Sequence, residues 1–114
     1  MVKDSPQLVL HAQLYQLADK YFISGFKELI TKKFTPMAKI YWDTKVFLEA
    51  ADIVCATTMD TDLGLRKTVV DVLDEHVELL GSKLVQKLLQ ENGDIGLKLL
   101  QLKAELTGWY RIID

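Results

Sequence analysis

At 114 residues the chain has the length of one domain, and 49% hydrophobic with 26% charged residues is ordinary globular usage, enough to bury a core. A net charge of −2, with basic residues interleaved among acidic ones, excludes the electrostatic footprint of a nucleic-acid-binding protein; the densest basic group, Lys27, Lys32 and Lys33, has Glu28 beside it. Met1 to Gln7 is polar and no apolar run approaches the ~18 residues that span a bilayer, so neither a signal peptide nor a membrane partner is expected, and the chain reads as intracellular, cytoplasmic or nuclear.

The first helix is expected to start at Ser5-Pro6, serine as the cap and proline at the first helical position. Leu10, Leu14, Leu17, Ala18 and Tyr21 then recur at spacings of three and four, which predicts one buried stripe. His11 sits beside it, a ligand or switch in one reading and an edge-of-core histidine in the commoner one. Ile23–Gly25 joins a second helix, with Ser24 as its expected cap and Gly25 as a point of close approach. Its apolar face is Phe26, Leu29, Ile30 and Phe34, and Thr35-Pro36 is expected to end it, because proline disfavours helical geometry in the residue before it.

The stretch 37–42 carries Met37, Ile40, Tyr41 and Trp42 in six residues and reads either as a short helical turn or as an apolar connector. Asp43 or Thr44 caps a third helix with the stripe Phe47, Ala51, Val54 and Thr58, widened by Leu48, Ala50 and Cys55. After a polar loop at 57–61, Asp60, Thr61 or Asp62 caps a fourth helix in which Leu65, Val69, Leu73, Val77 and Leu80 repeat over four to five turns. Its outer face is expected to be solvated charge: Arg66, Lys67, Asp71, Asp74, Glu75 and Glu78. Gly81-Ser82 separates this helix from a fifth built on Leu84, Val85, Leu88 and Leu89, and Glu91-Asn92-Gly93 stops that one. Asp94 is expected to cap the last helix, with Ile95, Leu99, Leu102, Leu106 and Trp109 as its stripe; Gly108 frays it and leaves a hydrophobic tail at 109–113. The expected fold is all-α: about six short helices in a compact bundle of helical hairpins over residues 1–114, with no sheet.

Chemistry is missing from this list. No glycine-rich phosphate loop is present: the glycines at Gly93-Asp94-Ile95-Gly96 lack a third glycine and a preceding strand. Cys55, the one cysteine, lies between Val54 and Ala56 without a charged activator and reads as a small buried hydrophobe; with the distant His11 and His76 it matches no metal spacing. The serines are better explained as helix caps than as nucleophiles. No enzyme activity, metal or cofactor is expected.

Tyr15, Leu17-Ala18-Asp19-Lys20-Tyr21, Ile23, Phe26-Lys27, Leu29, Lys32 and Phe34 together resemble the carboxyl-terminal helical part of BTB/POZ domains, of the kind found in many fungal BTB proteins. Phe47-Leu48-Glu49-Ala50-Ala51-Asp52-Ile53-Val54, Thr57-Thr58, Gly64-Leu65-Arg66-Lys67, Val69-Val70-Asp71 and Asp74-Glu75-His76 continue the resemblance in order, over about residues 10 to 80. The strands and helices that open a BTB domain have no counterpart here, so the resemblance implies a fragment of a longer protein or a truncated relative. Dimerisation and a cullin-type ligase partner are implied only through that missing half. Without it, Leu10, Leu14, Tyr21, Phe26 or Ile30 needs another cover, from the later helices or from a second copy.

The function these readings support is a protein–protein interaction module, an adaptor or scaffold with self-association as one option, with Phe22, Trp109, Tyr15, Trp42 and Tyr110 as candidate interface anchors and Phe22 and Trp109 foremost. The alternative is a small α-helical regulatory domain with a hydrophobic ligand between its helices.

Overall fold

Six α-helices and one 3₁₀ segment make up the structure, a computed structural model that describes residues 7–108. They are α1 (Gln7–Lys20), α2 (Ser24–Ile40), α3 (Lys45–Thr57), α4 (Leu65–Glu75), the 3₁₀ segment Val77–Gly81, α5 (Lys83–Glu91) and α6 (Gly93–Thr107). Among the described residues there is no strand. The expected Ser5-Pro6 start and the tail at 109–113 lie outside them.

Helix α1 packs on α2 and α3; α2 also rests on α4, which in turn contacts α3 and α6, and α5 closes the assembly against α6, α3 and the 3₁₀ segment. The core draws on every α-helix, with Leu8, Phe34, Phe47, Leu65, Val69 and Val72 all at 0% exposure. Complete burial of a side chain such as Phe34 or Phe47 stabilises the fold by roughly 1.5–3 kcal/mol.

The buried side of α1 is the expected one only at Ala18 and, in part, Leu14. Leu8, Ala12, Tyr15 and Ala18 are buried, whereas Leu10, Leu17 and Tyr21 are 50%, 49% and 62% exposed, and Leu14 lies between. Ala12 and Ala18 let two neighbouring helices come close, and Tyr15 reaches a polar partner; the bulkier leucine stripe faces away. On α2, Ile30, Phe34 and Ala38 are buried, with Phe26 and Leu29 at the surface.

Pro36 does not end α2. The helix runs through it to Ile40, because burial of Ala38 and the bond between the Thr35 and Thr68 hydroxyls (2.8 Å) hold the last turn against α4 and offset the lost backbone donor. The ambiguous stretch is thereby resolved: residues 37–40 are helical and Tyr41–Thr44 is a turn. Thr44 caps α3, its Oγ1 accepting from the Phe47 amide at 3.2 Å.

Several expected caps are used otherwise. Ser24 is the first residue of α2 and makes no capping bond, and a Cβ on Gly25 would meet nothing within 4 Å. The close approach occurs at Gly64, where a Cβ would collide with the Tyr15 hydroxyl. The fourth helix is shorter than expected, ending at Glu75; the chain tightens into the 3₁₀ segment, leaving Val77 and Leu80 45% and 43% exposed. In α5, Val85 and Leu88 are buried but Leu84 is exposed. Asp94 caps nothing, since its carboxylate is engaged with Arg66. Leu106 stands 79% exposed, and Gly108 closes α6 in the left-handed region at φ +76° rather than fraying it.

Candidate functional site

Two features depart from the usual sorting of side chains. The first is a buried charge. Arg66, expected on a solvated face, is 5% exposed. Its Nε and Nη2 donate to the Asp94 carboxylate (3.1, 2.7 and 2.8 Å), and Nη1 donates to the Cys55 and Thr58 carbonyls (3.0 and 3.2 Å). One guanidinium thus satisfies the carboxyl end of α3 and joins α4 to the start of α6.

A second polar joint lies beside it. Asp62 accepts the amides of Gly64 and Arg66 through one oxygen (3.0 and 3.1 Å) and the Tyr15 hydroxyl through the other (2.7 Å). The cap position of α4 is Gly64 rather than Asp60, Thr61 or Asp62, but the Asp62 carboxylate meets amides at the amino end of α4 while tying α1 to the loop before it. Burial, then the bond to Asp62, pushes the Tyr15 phenol far up. Burial likewise pushes the Cys55 thiol up to about 12, with Arg66 opposing, so this cysteine stays protonated and inert. Among the described residues no group of three or more His, Cys, Asp or Glu could hold a metal ion.

An open cleft of about 710 Å³ lies in front of Tyr15, bordered by Asp19, Lys27, Thr58, Asp62 and Gly64. Lys27 bonds Asp19 at 2.8 Å across it and lies 5.0 Å from the centre of the Tyr15 ring.

The second departure is the outer face of the α1–α2 hairpin. Leu10, Leu17 and Tyr21 form one exposed stripe along α1, and Phe26 and Leu29 begin another on α2 at 37% and 48% exposure. Lys33 falls on the α2 stripe by its spacing from Phe26 and Leu29, and α1 packs along α2, with the Lys33 charge opposing protonation of His11 on α1. His11 is half-buried there; its Nδ1 is enclosed with no hydrogen-bond partner, and burial, then Lys33, lowers its pKa. Ile30 has found cover within the chain; Leu10, Tyr21 and Phe26 have not.

Phe22 forms the tip of this face. It is 93% exposed and holds φ at +59°, a left-handed conformation that costs a non-glycine residue roughly 1–2 kcal/mol. The conformation closes the hairpin: the Phe22 amide donates to the Asp19 carbonyl at 3.3 Å, and that of Ile23 to the Ala18 carbonyl at 2.8 Å.

The other expected anchors are placed differently. Tyr15 is core, 4% exposed. Trp42 is half-buried and stacked on His76, ring centres 3.7 Å apart and planes 6° from parallel, which pins the turn after α2 to the end of α4. Trp109 and Tyr110 lie outside the described residues. Sequence reasoning missed Arg66, whose partner Asp94 is 28 positions away; the one local hint was Asp62 four residues before it. Among the described residues no helix is long and apolar enough to cross a membrane. In comparison with known proteins, the chain matches no family model, no curated protein and no solved structure.

Proposed function

We propose that the chain is a protein–protein interaction module, an adaptor or scaffold resembling the helical part of BTB/POZ proteins, and that it works by burying the outer face of the α1–α2 hairpin against a partner. The observation that carries this reading is the run of exposed Leu10, Leu17, Tyr21, Phe22 and Phe26 on one hairpin, 37% to 93% exposed. The resemblance supports it from another side, because in a BTB domain this face covers the sheet.

The test is a pair of substitutions, Leu17→Glu and Phe26→Glu, in a tagged chain expressed in cells. We expect unchanged folding by circular dichroism, with loss of proteins that co-purify with the unaltered chain. The same co-purifying set from both chains overturns the reading. The BTB likeness is checked separately by the coding sequence upstream of Met1, where an in-frame strand-bearing half supports it and unrelated sequence counts against it.

A further inference from the structure

We propose that the outer face of the α1–α2 hairpin seats an acidic amphipathic helix of a protein partner, its apolar side along the helix seam and its carboxylates against Lys20 and Lys33; this rests on reading the chain as an interaction module. Residues 7–40 carry Lys20, Lys27, Lys32, Lys33 and Lys39 against Asp19 and Glu28, whereas residues 45–108 carry seven basic and eleven acidic side chains. The hairpin is the basic part of an acidic molecule.

Within it the signs are further sorted. Asp19 is paired with Lys27, and both line the cleft in front of Tyr15, as does Glu28. The apolar stripes on the other side are left with lysine alone: Lys33 sits on the α2 stripe near His11, and the Lys20 ammonium lies 5.7 Å from the centre of the exposed Tyr21 ring. Among the described residues neither Lys20 nor Lys33 has a carboxylate partner.

Shape and charge then choose the occupant. The stripe from Leu10 to Tyr21 stays helical to its end, with the Tyr21 amide donating to the Leu17 carbonyl at 3.0 Å. It runs for about 17 Å, the length of three turns of a partner helix laid in the seam. A second copy docking the same face would set these lysines against each other, a repulsion that disfavours a symmetric dimer. An apolar helix flanked by Asp and Glu removes both mismatches at once, covering the stripes and pairing the lysines.

The test uses the full 114-residue chain and two fluorescein-labelled 16-residue helical peptides. Both carry leucines at i, i+4, i+7 and i+11, flanked by glutamates in one and by lysines in the other. Anisotropy titrations are expected to give about tenfold tighter binding of the acidic peptide at low salt, as for a few rim charge pairs, with the gap narrowing at high salt. Lys20→Glu with Lys33→Glu reverses the order of the peptides, and Phe26→Ser weakens both, with circular dichroism melts confirming that each variant folds. Equal binding of the two peptides overturns the acidic partner while leaving the interaction module standing. Binding of neither, by a chain that sediments as a monomer, overturns both. A concentration-dependent dimer lost on Phe26→Ser makes the occupant a second copy and overturns the proposal. So does preferential uptake by phosphatidylserine-containing vesicles over both peptides, which assigns the face to a lipid surface.

Discussion

Helix α4 and the tip of the α1–α2 hairpin break the ordinary sorting of side chains in opposite directions. At α4 a charge is taken inside: Arg66 is 5% exposed. At the hairpin tip an aromatic is put outside: Phe22 is 93% exposed in a left-handed conformation. The buried charge is tolerated because its donors are met by Asp94 and by two carbonyls at the end of α3, groups that would themselves lack partners. No partner inside the chain compensates the exposed aromatic. The difference teaches that the inward charge finds all its partners within the chain, while the outward aromatic finds none there.

The largest expected effect breaks the comparison at its buried end. Arg66→Ala leaves the Cys55 and Thr58 carbonyls unmet and costs about 3 kcal/mol in urea unfolding, at the lower limit for a broken buried pair because Asp94 keeps contact with water. A loss under about 1 kcal/mol would mean the guanidinium is dispensable. Gly64→Ala comes next, at about 2 kcal/mol, since the new methyl must displace the Tyr15 hydroxyl from Asp62. The same change costs less in a Tyr15→Phe background, where the colliding oxygen is gone; an undiminished cost would place the strain elsewhere.

At the exposed end, Phe22→Gly is expected to leave the melting temperature unchanged or to stabilise by about 0.5 kcal/mol, because relief of the left-handed strain slightly exceeds the added freedom of glycine. A packed phenylalanine would instead cost about 3–5 kcal/mol on truncation, so a large loss would show Phe22 to be part of the fold. The smallest effect is one of pH. The folded chain holds His11 below its ordinary value of 6.5, so the unfolded chain takes up the proton first as pH falls. The stability conferred by neutral His11 is therefore whole above about pH 6.5 and is lost progressively below it. Comparing the unaltered chain with His11→Gln between pH 7.5 and 5.5 checks this: the variant should have the flatter profile.

Helix existence was legible where periodicity and capping agreed. Thr44 before the Phe47 stripe, and the Glu91-Asn92-Gly93 stop before the Ile95 stripe, appear at their expected places. Boundaries failed where a tertiary contact repaid a local cost. Pro36 stays helical because Ala38 and the Thr35–Thr68 bond hold its turn, and α4 gives way to a 3₁₀ segment although the apolar repeat runs on to Leu80.

By itself the sequence determined that this chain is helical and roughly where each helix lies. Spacing along a helix sets these things, and spacing is local. Only the tertiary structure decided which of the two stripes of α1 turns inward, that Arg66 lies inside and that Phe22 stands out. Those outcomes depend on groups far away in the chain: Asp94 for Arg66, and Asp62 with Gly64 for Tyr15, whose docking turns the Leu10–Tyr21 stripe outward. A buried charge or an open apolar face is a property of what stands opposite, and that is settled by packing.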